Sequence, residues 1–238
     1  MRPTVSKYDI SASIEKKSVF VFVSDLHGCD NEPIYEILRS VDHDAILVGG
    51  DFVHDEKNYK RGIEFLKKIS ENKKCYVCLG NHDSCFPGDI RGVVKECGAT
   101  LLDNSHVDFN GVKLAGLTSG EFYMPDMIPD TRWLEDFSKL DGFKLLLCHR
   151  PEYYQKYVKK LSIDLTVSGH AHGGQWRIFD RGIYAPGQGI FPKYTSGFYE
   201  NRLIVGRGLG NPHIIPRINN RPEILVISIT PEGKEEPK

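Results

Sequence analysis

Apolar residues in this chain fall in short unbroken runs, separated by segments with the period of a helix. Residues 19–23, Val-Phe-Val-Phe-Val, form a run without polar alternation, the pattern of a strand covered on both faces. Pro33 then opens a segment in which Ile34, Ile37, Leu38 and Val41 recur along one helical face. Ala45–Val48 repeats the apolar run, Tyr59, Ile63, Leu66 and Ile69 repeat the helical stripe, and residues 75–79 form a third run. Ile90, Val93, Val94 and Cys97 follow at helical spacing and stop at Gly98, a residue suited to the turn that ends a helix. Strands alternating with helices predict parallel βαβ units.

Beyond residue 100 the pattern changes. Residues 101–117 alternate and contain Asn110-Gly111, a tight-hairpin dipeptide, which predicts antiparallel strands. Asp130 or Thr131 can cap a short helix carrying Trp133, Leu134 and Phe137. Residues 144–148 predict another buried strand. Pro151 begins a helix with Tyr154, Tyr157, Val158 and Leu161 on one stripe, and residues 164–168 return to a strand. The glycine-rich, aromatic-interleaved stretch 173–210 predicts a long loop or short strands. Residues 223–229 read as a closing strand, and 230–238 as a polar tail that frays. No linker or shift in composition interrupts residues 1–238, so a single domain is expected.

A chain of 238 residues can bury a core without disulfide or metal staples. Its 40% hydrophobic and 26% charged residues are those of an ordinary globular protein and argue against disorder. With a formal net charge of −1 and no extended basic stripe, a long nucleic-acid partner is not expected, whereas a small charged substrate is compatible. No apolar run approaches the ~20 residues of a membrane helix. Residues 1–17 lack the apolar core of a signal peptide and a twin-arginine pair, so a cytoplasmic location with reduced cysteines is expected. Cys75 and Cys78 form a C-x-x-C, but residues three apart on a strand face opposite ways. They read as small buried hydrophobes.

Each of five predicted strands ends in residues suited to bind a metal. The run 19–23 leads to Asp25-Leu26-His27-Gly28, Ala45–Val48 to Gly50-Asp51, and 75–79 to Gly80-Asn81-His82-Asp83. The run 144–148 leads to His149, and 164–168 to Gly169-His170-Ala171-His172. Taken singly, these are a turn aspartate, an Asx turn, a solvated loop or a core histidine. Taken together, at the carboxyl ends of sheet strands, they can converge in one place. Carboxylates, imidazoles and one amide oxygen, without thiolate, suit Mn²⁺, Fe or Zn²⁺, with Mn²⁺ favoured. The neutral Asn81 preserves positive charge that a third carboxylate would cancel.

These motifs, from Asp25 to His172, resemble the calcineurin-like metallophosphoesterase family. Gly-His-Ala-His-Gly-Gly-Gln, His149-Arg150-Pro151-Glu152 and Arg217-Ile-Asn-Asn-Arg-Pro-Glu223 resemble its bacterial YkuE-like and YaeI-like branch. The resemblance implies an α/β fold, a four-layer α/β/β/α sandwich of two mixed sheets with a dinuclear metal site at the C-terminal strand ends. It further implies that Asp25, His27 and His172 hold one divalent ion and Asn81, His149 and His170 the other, with Asp51 bridging. His82 is implied as general acid, with Asp83 beside it to hold its tautomer. The expected reaction is in-line attack on phosphorus by a metal-bridging hydroxide. His54 stands where family members often carry aspartate, at a position that is not a ligand.

The substrate implied is a small or lipid-linked phosphodiester or phosphomonoester. A pyrophosphatase acting on a nucleotide-diphosphate sugar or lipid precursor is the alternative. A non-catalytic scaffold is disfavoured, because such scaffolds lose ligands and this chain keeps every one together with His82. Arg150 reads equally as a fork for a phosphate oxygen and as a solvated helix-start arginine. His54, His106 and His213 read as surface or packing histidines. Residues 121–128, apolar for a loop, read either as a lid or as packing beneath a loop. The substrate, native metal and oligomeric state stay open at this level.

Overall fold

The structure is a computed structural model that describes residues 1–123, 126–211 and 216–233. In chain order its main elements begin with β1 (Thr4–Ala12), β2 (Ser18–Val23), α1 (Glu32–Ser40), β3 (Ala45–Val48), α2 (Lys60–Ser70), β4 (Lys74–Val77), α3 (Ile90–Glu96) and β5 (Thr100–Leu101). They continue with β6 (Ser105–Phe109), β7 (Val112–Leu117), α4 (Thr131–Ser138), β8 (Phe143–Cys148) and β9 (Leu165–Ser168). Two small hairpins follow, β10 (Arg177–Ile178) with β11 (Arg181–Gly182) and β12 (Tyr184–Ala185) with β13 (Gly189–Ile190). The last strands are β14 (Gly197–Tyr199), β15 (Leu203–Val205) and β16 (Glu223–Pro231).

Two six-stranded mixed sheets carry the fold, ordered β1-β16-β2-β3-β4-β5 and β14-β15-β9-β8-β7-β6. Strands β2 to β5 run parallel in the first, and β7, β8, β9 and β15 run parallel in the second. The unbroken apolar runs are explained by what covers them. In β2, Val21 and Val23 face α1, α2 and α3 through Ile34, Ile37, Phe65, Leu66 and Val94. Phe20 and Phe22 face the second sheet, meeting Leu145, Leu147, Leu165 and Val167. The far side of that sheet packs Leu117, Leu146 and Cys148 against Leu134, Phe137, Tyr154 and Val158. The result is the expected α/β/β/α sandwich.

The hairpin at Asn110-Gly111 forms as predicted, with both residues at positive φ (51° and 85°). Cys75 packs on the helical side of its sheet and Cys78 between the sheets, and all six cysteines are free. Two elements differ from expectation. The strand β1 is missing from the predicted set because its inward positions include Thr4 and Ser6 beside Tyr8, Ile10 and Ala12, a weak period-two signal on an edge. The Pro151 helix is short and closes in a wide turn, the Lys159 N–H donating to the Tyr154 carbonyl at 2.8 Å. The glycine-rich stretch does form short strands, and one of them, residues 203–205, is a full member of the second sheet. The closing strand runs on to Pro231, while residues 234–238 of the predicted tail lie outside the described residues. Among the described residues no helix is long and apolar enough to cross a membrane.

The opening of α2 bears on the loop that follows β3. A Cβ on Gly62 would lie 1.9 Å from the Phe52 carbonyl oxygen, a backbone atom that cannot step aside. Overpacking of this kind costs about 1–3 kcal/mol. Gly62→Ala is therefore expected to lower Tm by ~3–10 °C in a thermal melt. An unchanged melting curve would show that the loop gives way freely.

Candidate metal centre

The seven predicted ligands come from both sheets: Asp25, Asp51 and Asn81 follow β2, β3 and β4, and His149 and His170 follow β8 and β9. The chain reverses sharply at each place. Asp25, His27, Asp51, His170 and His172 all hold left-handed backbones, with φ of 54°, 44°, 55°, 63° and 47°. Residues with a Cβ disfavour that region, and such strain persists where the surroundings over-determine it. Here the surroundings are backbone hydrogen bonds and glycines. The Asp25 N–H donates to the Gly50 carbonyl at 3.0 Å and the Leu26 N–H to the Asp51 carbonyl at 2.9 Å. A Cβ on Gly80 would lie 2.3 Å from Asp51 Oδ1, so only glycine lets the β4 loop approach that carboxylate.

The side chains converge in two groups. The donor atoms of Asp25, His27 and His172 lie within 4.8 Å of one another, as do those of Asp51, His149 and His170. Asp51 sits between them: its Oδ2 is 3.1 Å from His149 Nε2 and 3.6 Å from His27 Nε2. His149 Nδ1 donates to the Gly49 carbonyl at 2.7 Å, which leaves Nε2 to face the centre. The Asn81 amide oxygen and His27 Nε2 are buried without a hydrogen-bond partner. Buried polar atoms left without a partner are what a cation would satisfy. The residues present therefore fit divalent metal ions.

Electrostatics in the metal-free protein agree. Burial presses the His27 imidazole down to about 3 and holds His170 and His172 well below the ordinary imidazole range. All three are thus neutral, the form that ligates. Burial raises Asp25. On His149 burial opposes the charge, but Asp51 and then Asp25 outweigh it and carry the group up to about 10.

Asp83 requires a correction. Its carboxylate is fully buried and accepts from the backbone N–H groups of Asp51 at 2.8 Å, Val53 at 3.0 Å and Gly80 at 2.8 Å. It is not the partner of His82, whose Nδ1 instead donates to the His54 carbonyl at 2.7 Å. The i, i+1 proximity in sequence suggested a dyad, but the turn sends the two side chains different ways. His82 is half-buried, its ring 4.6 Å from that of His27, and its own N–H donates to Asp51 Oδ1 at 2.8 Å.

His54 is likewise not a mere surface or packing histidine. Its Nδ1 lies 3.3 Å from His27 Nδ1, its ring stacks on His82 with planes 8° apart, and the three histidines form a third convergent group. His106 lies on β6, with its ring 5.6 Å from Phe137. His213 and residues 124–125 of the apolar loop lie outside the described residues. Arg150 is close to the centre, with Nη1 3.1 Å from His170 Nε2 and 3.1 Å from Glu152 Oε1. Its Nη2 pairs with Glu121, at the start of that loop. The fork expected to be open for phosphate is thus already engaged, and Arg150 is no solvated arginine either.

Two residues of the Arg217–Glu223 motif join the site without having been assigned a role from sequence. Arg217 Nη2 lies 3.2 Å from His172 Nδ1, and Nη1 donates to the Arg207 carbonyl at 2.7 Å. Asn220 Nδ2 donates to the carbonyls of His172 at 2.6 Å and Gln175 at 3.1 Å, clasping the turn that carries His172. The motif was visible in the sequence. Its target, 45 residues upstream, was not.

Comparison with known proteins points the same way as this geometry. A family model described as calcineurin-like phosphoesterase matches residues 18–174. The chain is 26% identical over 232 residues to the phosphodiesterase YaeI of Escherichia coli (strain K12), covering 88% of this chain and 81% of that protein. It is 25% identical over 275 aligned positions to the UDP-2,3-diacylglucosamine pyrophosphatase LpxG of Chlamydia muridarum, covering 87% and 82%. Among solved structures, the phosphopantetheinyl hydrolase PptH of Mycobacterium tuberculosis superposes with a TM-score of 0.51 at 11% identity. That match covers 92% of this chain and 98% of PptH, a likeness of fold.

Two outcomes follow for the centre. Asp83→Asn keeps one acceptor oxygen but turns an NH₂ donor toward backbone N–H groups, stranding buried donors at about 1–3 kcal/mol each. The variant should lose metal in elemental analysis and melt ~5–15 °C lower. A dyad partner of His82 would keep metal and Tm and lose only rate. Second, His149 carries its proton below pH of about 10 in the metal-free protein, and a metal must displace it. Metal affinity should therefore climb as pH rises from 7 to 9, with proton release seen when Mn²⁺ titrations are run calorimetrically in buffers of different ionisation enthalpy. Equal heats across buffers would contradict a protonated His149.

Proposed function

The chain belongs to the calcineurin-like phosphoesterase family, and from that premise we propose that it hydrolyses phosphodiester or phosphomonoester bonds of a small or lipid-linked substrate. The reading takes residues 1–238 as one catalytic domain, with Asp25, His27 and His172 holding one divalent ion, Asn81, His149 and His170 a second, and Asp51 shared. The observation that carries it is the position of Asp51 Oδ2 between His149 Nε2 and His27 Nε2, one from each group of ligands. Two divalent ions held there, Mn²⁺ fitting the donor set best and Fe or Zn²⁺ next, would activate water and hold the oxygens around phosphorus for in-line displacement.

The protein's own residues account for the remaining steps. Asp83 fixes the backbone that presents Asp51, and His149 is oriented by the Gly49 carbonyl. His82 is the proton donor to the departing oxygen. Its Nδ1–H donates to the His54 carbonyl at 2.7 Å, which leaves Nε2 to exchange a proton with a leaving group. Arg150 steadies His170 and reaches a phosphate oxygen only by exchanging one of its carboxylate partners. Similarity to the LpxG pyrophosphatase supports cleavage of a diphosphate as the second reading.

Positioned proton transfer contributes about 10²–10⁴-fold, and matters most where the leaving group is a poor one. His82→Ala should therefore keep its metals, lose most of kcat on alkyl phosphate esters, and retain far more on a nitrophenyl ester, whose phenolate leaves unprotonated. Equal losses on the two would remove the general-acid role. Asp51→Asn, which deletes the shared carboxylate, should lose both metal and hydrolysis. Full activity in that variant after exhaustive chelation would end the metal-dependent reading altogether.

A further inference from the structure

A cleft of about 560 Å³ opens beside the metal centre, lined by His27, His54, Lys57, Asn58, Lys60 and Arg61. Among the described residues no carboxylate lines it. His54, whose Nδ1 lies 3.3 Å from His27 Nδ1 and whose ring stacks on His82, shares this wall, so the cleft adjoins the centre. Lys57 and Lys60 have no carboxylate partner among the described residues. The nearest acid in sequence, Asp55, pairs with neither lysine: its Oδ1 accepts from the N–H groups of Lys57 and Asn58 at 2.8 Å each and from Asn58 Nδ2 at 3.0 Å, and its Oδ2 lies 3.5 Å from His54 Nε2. His54, in the same wall, adds no negative charge.

The walls are pinned. Arg61 Nη1 donates to the Gly28 carbonyl at 3.0 Å, and Asn31 Nδ2 donates to the Arg61 carbonyl at 3.1 Å. These bonds tie the loop after His27 to the start of α2, so the cationic side chains stand on fixed backbone. Clefts lined by one sign of charge concentrate ions of the other.

We propose that this cleft is a subsite for a second phosphate of the substrate, and hence that the substrate is a phosphate ester bearing another phosphate close to the bond cleaved. This rests on the phosphoesterase reading above. Lys57 and Lys60 supply point charges, and Arg61 the guanidinium nitrogens not used on Gly28. The remaining wall, His27, belongs to the centre itself, which sets the two phosphates side by side.

The test uses the double variant Lys57→Gln/Lys60→Gln and two nitrophenyl phosphodiesters of the same alcohol, one carrying a second phosphate and one without it. Wild type should favour the phosphorylated diester. The variant should lose that preference through KM, by about 10-fold per lysine, while the plain diester and the metal content stay as in wild type. Parallel behaviour of the two diesters in wild type and variant would overturn the subsite. Binding of inorganic pyrophosphate to the chelated, metal-free protein gives a readout independent of turnover, and should weaken at least ~10-fold in the variant. An unchanged Kd also overturns it. If wild type cleaves neither diester, the phosphoesterase reading fails, and pyrophosphate binding still decides whether the cleft takes phosphate.

Discussion

One buried carboxylate that faces no substrate organises the centre. Asp83 gathers the backbone N–H groups of Asp51, Val53 and Gly80, and so fixes the ends of β3 and β4 against each other. Asp51 in turn accepts the His82 N–H and faces His149 and His27. Burial and the neighbouring Asp51 charge push the Asp83 carboxyl up to about 7, while the three backbone donors pull the other way. The consequence is geometric: loops from different strands meet at distances set by hydrogen bonds rather than by chance.

That rigidity explains how five residues of the centre persist with left-handed backbones. Each such residue opposes folding by of order 1–3 kcal/mol, and the two sheets must offset the sum. They do so by covering the parallel strands on both faces, with Phe20, Phe22, Leu145 and Leu147 on the inside and the helices on the outside. Stability therefore resides in the sandwich and strain at its rim, the usual partition between scaffold and working site.

Much of this was legible in the chain. The run 19–23 and its counterparts predicted the parallel strands because full burial erases alternation, and polar clusters after each run gave the side chains that converge at the centre. What was not legible depends on contacts between distant residues. The strand β1 looks polar until β16 is placed beside it. Asp83 looked like His82's neighbour because adjacency in sequence hides the direction of a turn. His54 gave no sign that it would meet His27, and Arg217 and Asn220 none that they would clasp the turn at His172. Arg150 gave no sign that Glu121 and Glu152 would claim it.

The placing of β16 has a further consequence. It lies between β1 and β2, with Ile227 beside Tyr8 on one side and Phe20 on the other. During synthesis the two early strands cannot pair with each other across that gap, and the inner edge of β2 stays unpaired until β16 has emerged. Pairings of such sequence separation fold slowly, and an apolar strand with an open edge recruits other chains while it waits. The nascent chain therefore passes through a vulnerable interval that lasts from β2 until β16 is made, and chaperone dependence would be greatest when translation stalls just short of residue 223.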